Sequence, residues 1–251
     1  MLVDYLKYIV AKQNRIPNIS EDEHTLINIL DEKYLTLNDD KIISRLKALK
    51  VSNNEIMVTD FGAGSKKENN NIRLVRKIAK YASISPKHGR LFSQIIEQYN
   101  IDLSIELGTS LGIGTAYLAR SSNKVITMEG CPETAKIAQE TFHELNIQNV
   151  NLVVGEFSNS LNEMDKLPEN PIFIYIDGNH KLTPTLEYFD YFKAFAPQNS
   201  IIVFDDIYWS REMKKAWRII QSQNYLTIDM YRLGIVFLKD RTSPARINRR
   251  Y

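Results

Sequence analysis

From Asp102 onward, short apolar runs alternate with helical patterns so regularly that few architectures remain open to the chain. The runs span residues 103–107, 124–128, 150–154, 172–176, 201–204, 226–230 and 234–238. Helical patterns, such as those over 133–145 and 182–195, separate the first five. Near-continuous apolar strands with helices between them indicate a parallel sheet buried on both faces and built from right-handed crossovers. Only Tyr231, Arg232 and Leu233 join the last two runs. That link is too short for a crossover, so the pair is expected to close the sheet as an antiparallel hairpin. The expected fold class is α/β: a doubly wound, seven-stranded, mostly parallel sheet with an antiparallel closing hairpin, plus an N-terminal helical extension.

Residues 1–85 read as helices and turns that cap the core. Leu26, Ile27, Ile29 and Leu30 recur at helical spacing, as do Ile42, Ile43, Leu46 and Leu49. Polar stretches at 52–55 and 66–71 mark its loops. Ser85 and Pro86 open a helix that runs to Gln98, serine as N-cap and proline at the first helical position. The α/β core then extends over 86–240, and the basic end, 241–251, reads as a mobile tail.

At 251 residues the chain can bury one large α/β core with an appendage, or two small domains. Hydrophobic content of 43% and charged content of 25% are ordinary for a globular protein. Lys and Arg total 32 against 30 Asp and Glu, a net charge of +2, so no global field steers the chain to nucleic acid or to an anionic membrane. The single cysteine, Cys131, excludes an internal disulfide and a cysteine-cluster metal site, and reads as a small apolar wall residue. The first residues lack a charged segment followed by a long apolar one, and no apolar run of about 18 residues occurs. A cytoplasmic protein without a membrane partner is the expectation.

The first apolar run breaks at Glu106-Leu107-Gly108-Thr109-Ser110-Leu111-Gly112-Ile113-Gly114-Thr115 into a glycine-rich turn and then into helix-forming residues. Glycine serves where the backbone must take positive φ or come close to a ligand. Glu129 ends the next apolar run, 23 residues after Glu106. An acid about 20 residues beyond such a turn is placed to accept hydrogen bonds from ribose hydroxyls. A second glycine turn, Asp60 to Ser65, is followed by a polar run with three consecutive asparagines and no apolar strand ending in an acid. It reads as a structured turn rather than a ligand loop.

With these residues the chain resembles class I S-adenosylmethionine-dependent methyltransferases over roughly 85–240. The Glu106-to-Gly114 segment looks like the first motif of that family, and Thr127-Met128-Glu129-Gly130 like its second. The resemblance implies that Glu106 and Gly108 approach the methionyl amino end of S-adenosylmethionine. It also implies that Thr109, Ser110, Gly112, Gly114 and Thr115 line the backbone cradle and that Glu129 holds the ribose. Gly155-Glu156-Phe157 is similar to the segment beside the adenine, and Asp177 is counted with the residues near the cofactor.

Asp177-Gly178-Asn179-His180 follows the fourth run, and Asp205-Asp206-Ile207 the fifth. In an open α/β sheet both lie at the carboxyl edge, where ligands bind. Three carboxylates converging there repel one another unless a cation or protons neutralise them. Asp177, Asp205 and Asp206 offer oxygen only, which favours Mg2+ or another hard cation. The arrangement resembles metal-dependent small-molecule O-methyltransferases of the catechol and macrolide-sugar types. Where the catechol type has a lysine base, this chain has His180, whose ordinary pKa near 6.5 suits proton transfer. The same residues also have structural readings: Asp177, Asp205 and Asp206 as loop caps, and His180 as a neutral hydrogen-bonding group. Tyr208, Trp209 and Trp217 could wall an acceptor pocket or pack in the core, and Arg232 could reach an acidic substrate group.

The reading that results is an S-adenosylmethionine-dependent methyltransferase acting on a hydroxyl of a sugar-like or vicinal-diol small molecule, assisted by a divalent metal. A glycine loop with a ribose acid also suits an NAD-type oxidoreductase, although the acid-rich rim would repel a pyrophosphate. A nucleic-acid methyltransferase is disfavoured by the absence of an Asn/Asp-Pro-Pro-aromatic motif after the fourth strand. A non-catalytic cofactor-binding module is the remaining alternative. The N-terminal helices could act as a lid or as a homodimer surface.

Overall fold

The computed structural model of the chain describes residues 19–31, 38–59, 71–164 and 166–249. The 60–65 turn therefore lies outside the described residues, as does the start of the N-terminal extension. The chain forms two compact units: residues 38–164 make one, and residues 19–31 with 166–249 make the other. Helix α1, Glu21–Asp31, belongs to the second.

In the unit of 38–164, helix α2 (Asp40–Val51) is followed by two short strands, β1 (Glu55–Met57) and β2 (Ile72–Leu74), which pair antiparallel. Helix α3 (Val75–Tyr81) and helix α4 (Pro86–Gln98) come next. Ser85 caps α4 as its sequence suggests, its Oγ accepting the His88 N–H at 3.2 Å with Pro86 at the start of the helix. Leu91, Phe92, Ile95 and Ile96 of α4 are fully buried on one stripe, and each contributes about 1.5–3 kcal/mol by leaving water.

Strand β3 (Leu103–Leu107), helix α5 (Ile113–Ala119), strand β4 (Lys124–Glu129), helix α6 (Pro132–Glu144), strand β5 (Val150–Val154) and helix α7 (Phe157–Asn162) complete the unit. The strands are parallel, with Leu103 opposite Lys124 and Val125 opposite Val150. One buried knot anchors α2 against α4 and α5. Arg90 donates two hydrogen bonds to the Asp39 carboxylate, at 2.9 and 3.0 Å, and the Tyr117 hydroxyl donates a third at 2.6 Å. Burial alone would raise the Asp39 pKa, but the bonds from Arg90 and Tyr117 outweigh it and hold the carboxyl below its ordinary value.

The other unit contains β6 (Phe173–Ile176), α8 (Leu182–Phe195), β7 (Ser200–Phe204), α9 (Arg211–Ile220), β8 (Leu226–Asp229), β9 (Gly234–Leu238) and β10 (Ala245–Asn248). Its strands lie in the order β10-β8-β9-β7-β6. Strands β6 and β7 are parallel, and β9 runs antiparallel between β7 and β8, as the short connector requires. Helix α9 faces the core with Met213, Ala216, Trp217 and Ile220, a spacing of three and four residues that defines one helical stripe.

Two features depart from the sequence expectation. Part of the basic end is ordered: Ala245 to Asn248 pair parallel with Leu226 to Asp229, burying Ala245 and Ile247 while Arg246 faces out. The period-2 alternation is present but short, and the surrounding arginines obscure it. The N-terminal extension is also not a single cap. Buried Glu23 of α1 is paired with Arg241 at 2.5 Å and Asp22 with Lys239 at 2.9 Å, so α1 is fastened to the chain that follows β9. Residues 38–85 instead pack within the unit that carries the glycine-rich turn.

Candidate active site

The glycine-rich turn follows β3. The N–H groups of Gly108 and Thr109 both donate to the Met128 carbonyl, at 2.9 and 3.1 Å, which ties the turn to β4. Gly108, Ser110 and Gly112 all have positive φ, at 109°, 49° and 80°. Gly112 starts α5, its carbonyl accepting from the Ala116 N–H at 3.0 Å. A Cβ at Gly112 would stand 2.8 Å from Cε1 of Phe142 and 3.2 Å from the Ala138 backbone, so glycine is required there for shape as well as for φ. Gly114 and Thr115 lie buried in the first turn of α5.

Glu106 is 1% exposed and sits beneath this turn. Its Oε2 accepts from the hydroxyl of Thr115 at 2.5 Å and from that of Thr127 at 2.6 Å, and the Thr109 and Thr127 hydroxyls are themselves 2.6 Å apart. One acid thus joins β3, β4 and the first turn of α5. Glu129 holds the turn from the other side: Oε2 accepts the Ser110 N–H at 2.8 Å and Oε1 the Cys131 N–H at 2.9 Å. Gly155, with φ of 156°, donates its N–H to the Glu129 carbonyl at 2.9 Å. Exposed Glu156 then begins α7. Thr127 enters the sequence reading only as part of the second motif, with no role of its own. A hydroxyl on the strand position that pairs with Glu106 is the signal that could have marked it.

The acid-rich segment is built in the other unit. Asp177 follows β6 and Asp205 follows β7, and the Asp205 N–H donates to the Ile176 carbonyl at 2.9 Å in continuation of the ladder. Tyr175 Oη stands 3.1 Å from Oδ2 of both Asp177 and Asp205, so its single proton can serve either. His180 Nε2 is 3.5 Å from Asp177 Oδ1. Asp205 is 1% exposed, and Arg232 grips it with both arms of its fork, Nε to Oδ1 and Nη2 to Oδ2, each at 2.9 Å. The Asp206 N–H donates to Asp205 Oδ1 at 2.8 Å, while Asp206 Oδ1 lies 3.6 Å from Arg232 Nε.

The structure therefore gathers Asp177, His180, Asp205 and Asp206 as the sequence suggested, and adds Tyr175 and Arg232. Tyr175 is two residues before Asp177 and so on the same face, a signal available in the strand pattern. Among the described residues no three His, Cys, Asp or Glu groups are arranged to hold a metal ion. A divalent cation needs open carboxylate oxygens at about 2.0–2.6 Å, and those of Asp205 are taken by the guanidinium. As arranged, these residues do not fit a resident metal.

Burial raises the Asp177 carboxyl, with the charge of Asp205 adding to it. The same two causes push Asp206 up to about 6. Burial would also raise Asp205, but Arg232 more than compensates and the carboxyl titrates below its ordinary value. Burial would lower His180, yet its bond to Asp177 and the charges of all three acids raise it above 6.5. Behind the rim, Asp229 accepts from Tyr208 Oη at 2.8 Å, Trp217 Nε1 at 2.9 Å and the Tyr231 N–H at 2.9 Å. Trp217 is thus a core residue, whereas Trp209 is 44% exposed.

Solved structures share this fold across most of the chain. A cofactor-bound protein from MTB, Rv0187, aligns at a TM-score of 0.61 with 15% identity, covering 89% of this chain and all of that one. The SAH-bound methyltransferase PaMTH1 of Podospora anserina gives 0.62 with 12% identity over 91% and 100%, and the Bacillus cereus O-methyltransferase in complex with SAH gives 0.57 with 16% identity over 85% and 97%. The fold is the Rossmann-like methyltransferase fold: a mostly parallel sheet with an antiparallel hairpin and N-terminal helices. A family model described as a methyltransferase domain matches residues 105–207, from the glycine-rich turn through the acids after β7. Within residues 105–207 the chain is therefore similar to methyltransferase domains. Among curated proteins, a catechol O-methyltransferase of Niastella koreensis is 28% identical over 133 residues, half of this chain. The match spans 58% of that relative's length. No described helix is long and apolar enough to cross a membrane.

Proposed function

We propose that the chain transfers a methyl group from S-adenosylmethionine to a hydroxyl of a small molecule, sugar-like or a vicinal diol. The observation that carries the reading is His180 held against Asp177 at the carboxyl end of β6, a proton acceptor oriented by an acid. The catechol O-methyltransferase among the relatives supports the same class of acceptor.

The donor set of the turn fits the cofactor: a glycine-rich backbone after a parallel strand, and an oriented carboxylate, Glu129, at the end of the next strand. When bound, S-adenosylmethionine supplies an electrophilic methyl on a sulfonium. Glu129 accepts the ribose hydroxyls, Glu106 keeps Thr115 and Thr127 in register beneath the turn, and Glu156 borders the adenine. With Nε2 of His180 directed to Asp177, Nδ1 is the nitrogen that takes the acceptor proton. Positioning for in-line displacement supplies much of the remaining acceleration.

Calorimetric titration with S-adenosylhomocysteine, with NAD as control ligand, tests the cofactor. Micromolar binding that is lost in Glu129→Ala, without NAD binding, is expected, and a panel of hydroxylated acceptors then reads out methylation. No binding, or a preference for NAD, refutes the reading.

A further inference from the structure

We infer that Arg232 is the cation of the acid rim, taking the place that a divalent metal would otherwise occupy. The inference rests on the methyltransferase reading for its catalytic meaning, but its evidence is independent of it. Three carboxylates at neighbouring strand ends need a positive partner, and the chain supplies one from its own connector between β8 and β9. Both oxygens of buried Asp205 are bound in a bidentate fork, the geometry in which a guanidinium matches a carboxylate best. Asp206 Oδ1 lies 3.6 Å from the same Nε, so two acids share one charge.

The arginine is also placed by its backbone. Its carbonyl accepts the Ile207 N–H at 3.1 Å and its N–H donates to the Met230 carbonyl at 2.9 Å, which fixes the turn directly beside the Asp205-Asp206 segment. The side chain is 38% exposed, so part of it is open to solvent while its guanidinium neutralises the rim. A fixed positive group in that position orients an acceptor oxygen and stabilises the negative charge that develops as His180 removes its proton. A metal and this guanidinium compete for the same oxygens, so the wild-type chain works without added divalent cations.

The test is Mn2+ uptake by EDTA-dialysed protein, followed by the electron paramagnetic resonance signal of free Mn2+. Wild-type protein and Arg232→Lys are expected to take up none, whereas Arg232→Met frees the oxygens of Asp205 and Asp206 and binds Mn2+ stoichiometrically. That binding is lost again when Asp205→Asn is added. Stoichiometric uptake by the wild type that is lost in Asp205→Asn overturns the inference, because the guanidinium would then yield to a metal. No uptake by folded Arg232→Met also overturns it, because the arginine would not be filling the place of a cation. If Arg232→Met does not fold, the wild-type titration still decides. Metal uptake needs neither cofactor nor acceptor, so failure here is distinct from failure of the S-adenosylhomocysteine titration.

Discussion

Replacing Gly112 with alanine tests the glycine-rich turn at its most constrained point. Two costs arise from the structure. At φ of 80° an L-residue is left-handed, which costs about 1–2 kcal/mol. The new Cβ would also stand 2.8 Å from Phe142 Cε1 and 3.2 Å from the Ala138 backbone, and overpacking of this kind costs about 1–3 kcal/mol. Alanine recovers about 0.4–1 kcal/mol by restricting the unfolded chain. The net expectation is a loss of about 2–4 kcal/mol, a large share of the roughly 5–15 kcal/mol that stabilises a typical domain. Urea denaturation of the wild type, Gly112→Ala, Phe142→Leu and the double variant measures it as a cycle. Leucine removes the atom that clashes, so the double variant should recover the packing share and retain the backbone share. A loss below about 0.5 kcal/mol in Gly112→Ala, or additivity across the cycle, refutes the argument. The same variant should bind S-adenosylhomocysteine more weakly, because Ser110 reaches Glu129 only when the turn keeps its shape.

Two further outcomes follow from the buried acids. His180 is a base only when neutral, and its pKa is raised above 6.5, so activity should increase with pH along an acidic limb above that value. Asp177→Asn should move this limb to lower pH, and proton NMR titration of His180 should report the same shift without turnover. In linkage terms, the raised pKa contributes stability below about pH 6.5 that is lost as pH rises through the folded value, and Asp177→Asn should flatten that dependence. An unchanged limb in the variant would mean that Asp177 does not govern His180. Thr127→Val keeps the side-chain shape but removes a hydroxyl that donates to buried Glu106, at an expected cost of about 1–3 kcal/mol in urea denaturation. A cost near zero would show that Thr115 alone satisfies that carboxylate.

Much of the fold could be read from the chain because its signals are local. The parallel strands β3 to β7 announce themselves by near-continuous apolar runs, and the connector of Tyr231, Arg232 and Leu233 admits no crossover, so β8 and β9 had to pair antiparallel. The β1–β2 pair carries no such signal: its three-residue strands are half exposed and separated by a polar stretch, so nothing periodic marks them. Strand β10 hides its two buried residues among arginines. The position of α1 depends on Glu23 meeting Arg241 and Asp22 meeting Lys239, and sequence spacing says nothing about contacts of that range.

The same distinction governs the site. That Glu106, Glu129, Asp177 and Asp205 stand at strand ends follows from where each apolar run stops. What binds each of them depends on strand register and on turns elsewhere. Electrostatics demands a positive partner for acids brought together at neighbouring strand ends, and the composition of the rim, all oxygen donors, suggested a metal. The register of β7 against β9 supplies a different answer. Phe204 lies opposite Gly234, so the residues just after β7 and just before β9 meet, and Asp205 meets Arg232. In the sequence, Arg232 on its three-residue connector reads as a group for an acidic substrate, because nothing there pairs it with Asp205. Once β9 is inserted antiparallel beside β7, the Arg232 guanidinium is bound to the buried acid. The requirement for charge neutralisation is thus written in the strand ends, and the identity of the neutralising group in the topology of the hairpin.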